Sequence, residues 1–369
     1  MASKFAFAAR DLKRGLALAK LVKPSSGDFA IRFGPTGATF YSADKRRLTL
    51  VNVAATEAPD VAPDWVSDEY FIPISKSVLF DADLDSVAFV LGENALGIQA
   101  VGGKQTRKAT VKRRVDATRR THIPTVRWGE PSLIDASQFA RLLRVVGCSA
   151  LVKETKTEEE MRVNQVHFHP ETASASSNAR FHASVAELDG MKLDVSIIGS
   201  DIPLIRSFCA KMDAMVGLYH DKHRLYVVDP QSNSVLALSK VASASAAFEP
   251  PTRDFAIEMR LSREHLIDGL DWAIAALDGT QRLSCEAEGD EMKMSNNGEI
   301  FNMSIAFALG SQFRADLPAK FMRTVADHLD SDDITLRFGH PKNPTLLEVS
   351  NADETDIRVR HYMHVMRGR

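Results

Sequence analysis

His167 and His169, in the stretch HFHPE, are the residues whose type and spacing most suggest chemistry. Two apart on a strand, they would project from one face, and paired imidazoles can ligate a metal ion. The bland reading is polar lining, and it is favoured by the matching hairpin further along, which reads CEAEG. DADLD, Asp81 to Asp85, offers carboxylates to a divalent cation, or else marks a capped helix end. GGKQT, Gly102 to Thr106, lacks both the spacing and the Lys-Ser/Thr ending of a phosphate loop. None of these places a nucleophile beside a base. The expectation is a protein that is not an enzyme, with no metal and no cofactor.

A second kind of chemistry is written in the cations. Arg10, Lys13, Arg14 and Lys20 fall on one stripe of a candidate helix, with Lys23 just beyond. Arg141 and Arg144 share a face of a second helix, and Lys153 follows. Further candidates are Lys76, Arg206, Lys211, Lys320 and Arg323. A basic stripe is usually a solvated helix face, but its recurrence on several helices points to a surface that meets phosphates. The helix with Glu264, Asp268 and Asp271 dissents. The densest basic run, KQTRKATVKRRVDATRR from Lys104 to Arg120, alternates like an edge strand. It reads equally as a guarded edge or as a nucleic-acid contact.

The elements that carry these residues repeat three times. ARDLKRGLALAKLVK, ASQFARLLRVVGCSA and SREHLIDGLDWAIAAL have apolar residues at helical spacing, as in Leu12, Leu16 and Ala19. Each is followed by a hairpin pattern: FAIRFGPTGATFYSAD, RVNQVHFHPETASASS and RLSCEAEGDEMKMSNN. An apolar residue, a proline and a helix start come next, at Pro73, Pro203 and Pro318. A second hairpin closes each unit: DSVAFVLGENALGIQAVG, DAMVGLYHDKHRLYVVDP and DDITLRFGHPKNPTLLEVS. Proline suits a first helical turn, where its missing N–H costs nothing. Three prolines at matching places mean internal triplication. Linkers near Trp128 and Arg253 set the expected domains at 1–127, 128–253 and 254–369.

Composition bounds the class. The 369 residues are 44% hydrophobic and 25% charged, with a formal net charge of −2. A nucleic-acid partner must therefore meet a local basic surface and not a bulk charge. The three cysteines form no CxxC, which argues against a disulfide framework and fits a reducing compartment. No signal peptide or membrane-length apolar run is evident, so a cytoplasmic protein without membrane contact is expected.

In order, spacing and length, the three units resemble the bacterial-type DNA sliding clamp, the β subunit of the replicative polymerase. YSADKRRL at Tyr41 to Leu48 is similar to that family's A-T-D-x-x-R-L phrase, and the final strand DIRVRHYMHVMRGR ends in a similar Met-Arg phrase. The resemblance covers essentially the whole chain. It implies an α+β fold of three tandem clamp domains, each with two helices packed on β-sheets. Two subunits would form a homodimeric ring around duplex DNA, with the basic helix stripes facing phosphates in no particular sequence. It also implies a pocket for short peptides of DNA polymerase and clamp loader. Carried over by position, the pocket takes Val163, Ser176, Ser177, Asn178, Ala179, Arg180, Phe181, His364, Val365 and Met366. Asn178-Ala179 replaces the family's Gly-His, Phe181 a leucine and His364 a proline, and KPSSGD stands where Pro-Ile-Leu-Ser is usual. These departures mark a divergent member, bacterial or phage-encoded. The alternative is a non-ring adaptor of three repeats. Ring edges are expected at Lys104 to Arg114 and at Met292 to Ser295.

Overall fold

The computed structural model describes residues 3–24, 27–59, 69–73, 85–92, 95–102, 105–112, 131–149, 164–172, 174–179, 182–241, 248–252, 254–276, 282–296, 299–309, 312–353 and 355–367. The expected triplication holds strand by strand. The first repeat runs β1 (Ser3–Ala8), α1 (Ala9–Ala19), β2 (Asp28–Gly34), β3 (Gly37–Ala43), β4 (Arg47–Ala54), β5 (Glu69–Pro73), β6 (Ser86–Leu91), β7 (Ala95–Gly102) and β8 (Gln105–Lys112). The second runs β9 (Ser132–Asp135), α2 (Ala136–Val146), β10 (Gln165–His169), β11 (Ser174–Ala179), β12 (His182–Glu187), β13 (Val195–Ile198), α3 (Ile202–Cys209), β14 (Met215–His220), β15 (Arg224–Asp229) and β16 (Ser234–Ser239). The third runs β17 (Ile257–Ser262), α4 (Arg263–Ala276), β18 (Arg282–Glu288), β19 (Glu291–Asn296), β20 (Glu299–Leu309), β21 (Gln312–Pro318), α5 (Ala319–His328), β22 (Asp333–His340), β23 (Asn343–Asn351) and β24 (Arg358–His364), followed by β25 (Met366–Arg367). The helix expected after Pro73 lies outside the described residues.

Each repeat pairs its strands in the same way. The first strand pairs with the sixth, as in β1·β6, β9·β14 and β17·β22. The second pairs with the fifth, as in β2·β5, β10·β13 and β18·β21. The described residues group into two compact units, one of 1–137 with 204–240 and the other of 138–203 with 241–369. The first unit holds a four-stranded sheet, β1-β6-β7-β8, and an eight-stranded sheet, β5-β2-β3-β4-β16-β15-β14-β9. The second holds one long sheet, β13-β10-β11-β12-β24-β23-β22-β17-β20-β19-β18-β21-β25.

Two seams join successive repeats by antiparallel pairing of a fourth strand with an eighth. In the first unit β4 meets β16, with Leu50 opposite Val235 and Leu48 opposite Ala237. In the second β12 meets β24, with Ala183 opposite Tyr362 and Val185 opposite Arg360. Each seam has an apolar cover on the same face. Leu48, Leu50, Val235 and Ala237 cluster with Tyr226, and Ala183, Val185, Leu346 and Tyr362 cluster beneath Phe248 and Phe255. Burial of these side chains makes the seam an extension of the core and not a bare ladder of hydrogen bonds.

The helices form where apolar spacing allows a buried stripe. On α1, Leu12, Leu16 and Ala19 are buried, and Gly15 lies so close to Val53 that a Cβ would come within 2.4 Å of Val53 Cγ2. Asp135 caps α2, its Oδ1 accepting the Ser137 N–H at 2.9 Å. Gly37 opens β3 with its backbone against Val53, where an added Cβ would sit 2.2 Å from Val53 O. Gly37→Ala must displace backbone. Its expected cost is about 1–3 kcal/mol, read as a lowered urea midpoint with circular dichroism otherwise unchanged.

Candidate nucleic-acid and partner interfaces

The proposed phosphate-facing residues divide by what already holds them. Arg10, Lys13, Lys23, Arg144, Arg206 and Lys320 are exposed and have no ion-pair partner among the described residues. Lys20 is exposed and Lys211 half-buried. Three arginines are engaged instead. Arg14 lies 3.0 Å from Asp213 and 3.9 Å from the buried Asp229. Arg141 pairs with Asp330, and Arg323 reaches Asp271 at 2.7 Å and Asp327 at 2.5 Å. Hydrogen bonds to Asp271 and then Asp327 raise the Arg323 guanidinium above its ordinary range. Such exposed pairs contribute at most about 1 kcal/mol each. Their effect here is to lower the charge these arginines can offer to a phosphate. Lys76 and Lys153 lie outside the described residues.

Sequence reasoning missed these counterions because the partners are remote in the chain. Arg14 and Asp213 are 199 residues apart, and Arg141 and Asp330 are 189 apart. The acidic α4 was legible, and one of its carboxylates, Asp271, is what Arg323 binds. Glu264, Asp268 and Asp271 are all exposed.

Of the expected partner pocket, the register brings part to one region of the second unit. Asn178 pairs with Ala183, which pairs with Tyr362, while Ala179 pairs with His182, which pairs with Met363. Ser176 is buried, with its hydroxyl 3.0 Å from His169 Nε2. Ser177 is also buried and donates to the Val146 carbonyl. His364 is exposed and lies within 3.4 Å of Asn343 Nδ2. Met366 is 51% exposed, whereas Val365 is 3% exposed and belongs to the core. Val163, Arg180 and Phe181 lie outside the described residues. A neighbour that sequence did not suggest is Phe321 of α5, whose ring stacks on His182 at 3.8 Å.

The residues that first suggested catalysis are otherwise employed. His167 Nδ1 lies 2.8 Å from Ser196 Oγ. Burial, with His169 nearby, pushes the His167 imidazole down to about 4, and burial lowers His169 too. No group of three or more potential metal ligands occurs among the described residues. All three cysteines are free, and burial pushes Cys148 and Cys209 up to about 12 and Cys285 higher still, so none is poised as a thiolate. Of DADLD only Asp85 is described. It precedes β6, with its N–H bonded to Val101 O. No helix among the described residues is long and apolar enough to cross a membrane.

Of the two segments expected at sheet edges, one lies at an edge and the other does not. Among the described residues β8 is an edge strand, paired with β7 alone. Met292 to Ser295 do not form an edge, because β19 is flanked by β18 and β20. The open edge belongs to β20. Glu299 to Ser304 pair with β19 alone among the described residues, and β17 takes up β20 only from Ile305 onward. On this edge Ile300 is 61% exposed.

No known protein-family profile matches the chain, and no curated protein sequence does. Solved structures match it end to end. The DNA polymerase III β subunit of Thermotoga maritima aligns over 100% of both chains at a TM-score of 0.79 with 14% identity. A sliding clamp from Pseudomonas aeruginosa aligns over 99% of this chain and 100% of its own at 0.79 with 12% identity. A sliding clamp from Bacillus subtilis aligns over 100% of both at 0.79 with 13% identity. The triplicated chain therefore has, over its full length, the fold of the bacterial DNA polymerase sliding clamps.

Proposed function

We propose that this chain is itself a DNA sliding clamp, a processivity factor that closes around duplex DNA and tethers a replicative polymerase. It does no covalent chemistry, needs no cofactor and acts in the cytoplasm. Its domains are 1–127, 128–253 and 254–369. The observation that carries the reading is the series of seams. A fourth strand meets an eighth at β4·β16 and again at β12·β24. Continuing the series requires the fourth strand of the third repeat, β20, and the eighth strand of the first, β8. Both have open edges. A β8 from one copy laid on the β20 of another extends the same pairing, and two chains of three repeats close as a six-domain ring. A third seam made this way is a heterologous, head-to-tail contact, and such contacts form a ring when the rotation closes.

The ring reading gives the exposed cations of the helices a task. Arg10, Lys13, Lys23, Arg144, Arg206 and Lys320, with Lys20 and Lys211, contact phosphates without reading bases, which is what sliding requires. Partner peptides dock on the face of β11, β12 and β24 around Ser176, Asn178, His364 and Met366.

The test is retention. A ring near twice 40.6 kDa by light scattering, held on closed circular DNA at salt that strips ordinary phosphate binders and lost when the circle is cut, supports the reading. A monomer that leaves both DNAs alike favours the adaptor alternative. Reversing Arg10, Lys13 and Arg144 to Glu is expected to lower the salt slope of DNA association by about 0.9 for each lost phosphate contact, with the mass unchanged. An unaltered slope would remove these residues from the DNA-facing surface.

A further inference from the structure

In the second unit, residues of the turn between β10 and β11 and of the β12·β24 seam together line a recess of about 420 Å³. Its floor is Val185 and its apolar wall is Phe248, half-buried beside Tyr362 with ring centroids 5.0 Å apart. The remaining charged lining is lopsided. Glu171, Glu187, Asp194 and Glu249 face the recess against a single guanidinium, Arg360. That guanidinium is already bound to Glu187, which also holds Arg358 at 3.0 Å. Glu171 and Glu249 are exposed at the mouth and have no ion-pair partner among the described residues. His169 adds no positive charge at neutral pH, since burial lowers its imidazole and its Nε2 is tied to Ser176. A recess of this size with an aromatic wall and a rim of unpaired carboxylates is complementary to a cation carried on an apolar stem.

We propose that this recess seats a lysine or arginine side chain of a partner peptide, with a neighbouring apolar residue of that peptide packed on Phe248. The inference rests on the clamp reading, because Ser176 belongs both to the recess and to the expected docking face, and it specifies which peptides that face selects. The basic residue reaches between Glu171 and Glu249, where each exposed pair adds little alone but the carboxylates act together. An acidic residue at the same position meets like charge.

The experiment uses the full chain and two fluorescent synthetic hexapeptides. They share the same leucine and phenylalanine and differ only in having arginine or glutamate at the third position. Fluorescence anisotropy is expected to give at least about tenfold tighter binding of the arginine peptide, a preference of about 1.4 kcal/mol. The preference should shrink with added salt and disappear in the double variant Glu171→Gln, Glu249→Gln. These two substitutions are isosteric and exposed, so the fold is retained, and circular dichroism verifies it. Equal binding, no binding of either peptide, or a preference that survives the double variant overturns the inference. Retention on closed circular DNA by the same preparation separates the two readings. Retention without an arginine preference overturns the basic anchor and leaves the clamp standing. An arginine preference without retention supports the recess and overturns the clamp.

Discussion

In the proposed ring, Ile300→Arg is expected to convert dimers into monomers, with the dimer dissociation constant raised at least about a hundredfold, or about 2.7 kcal/mol. The size of the effect comes from where Ile300 lies. Phe301 and Met303 point inward, Phe301 against Trp272 of α4 at 5.8 Å and Met303 buried, so alternation turns Ile300 to the other face. At the two seams within the chain, that face carries the apolar covers, with Leu48 and Leu50 in one and Ala183 and Val185 in the other. An isoleucine 61% exposed at the corresponding place is an uncovered piece of the same pattern. The β8 that would cover it presents exposed Thr106, Lys108 and Thr110. A new guanidinium there loses the apolar burial and faces the positive charge of Lys108. Light scattering over a dilution series reads the mass, and circular dichroism of the monomer reads the fold. A variant that keeps the wild-type mass at every concentration would show that β20 is not the ring edge. Ile300→Val, which removes one methylene, should stay dimeric, since partial burial of that group is worth less than about 1 kcal/mol.

How much of this was legible in sequence depends on the range over which the signal acts. The triplication was readable because apolar periodicity and hairpin turns are local, and Pro73, Pro203 and Pro318 punctuate them at matching places. The helix start at Ala136 was readable for the same reason. An edge position for β8 was one of two equal readings of its basic run. The open edge of the third repeat was misplaced onto Met292 to Ser295, because an internal strand and an edge strand with apolar alternation look alike until their neighbours are known. The exposed Ile300 lay five residues further on, without any local mark. The ion pairs of Arg14 and Arg141 were likewise invisible, since a stripe of cations on a helix carries no information about an aspartate nearly two hundred residues away. The proposed docking face was suggested only through resemblance. Its acidic recess is assembled from the β10–β11 turn, the segment at Phe248 and the end of β24, which no single window of sequence contains.

Acid should weaken the second unit through a buried histidine that function does not use. His361 on β24 is fully buried, with Nδ1 2.7 Å from Ser184 Oγ and that hydroxyl 2.7 Å from Ser149 Oγ. Its Nε2 has no hydrogen-bond partner among the described residues. A bare nitrogen lone pair is cheaper to bury than an unpaired N–H, so the neutral tautomer protonated on Nδ1 suits this site. A second proton would place a charge in the core on an atom with no acceptor. Burial, reinforced by nearby His328, accordingly lowers His361 to about 3. In the unfolded chain an ordinary histidine takes up its proton near pH 6.5. Between these values the unfolded state binds the extra proton, so stability rises with pH and falls as pH drops below about 6.5. The slope from this one group is about 1.4 kcal/mol per pH unit, or about 3 kcal/mol by pH 4. His167, pushed down to about 4, acts with the same sign. In His361→Gln the amide cannot take up a proton in this range. Urea midpoints measured from pH 7 to pH 4 should then fall less steeply than in the wild type, by about one proton's worth. Between pH 7 and 8 the two slopes should agree, because His361 is neutral in both states there. An acid slope that is the same in both proteins would mean that His361 already takes up its proton in the folded state, and that the space around Nε2 opens to water before the unit unfolds.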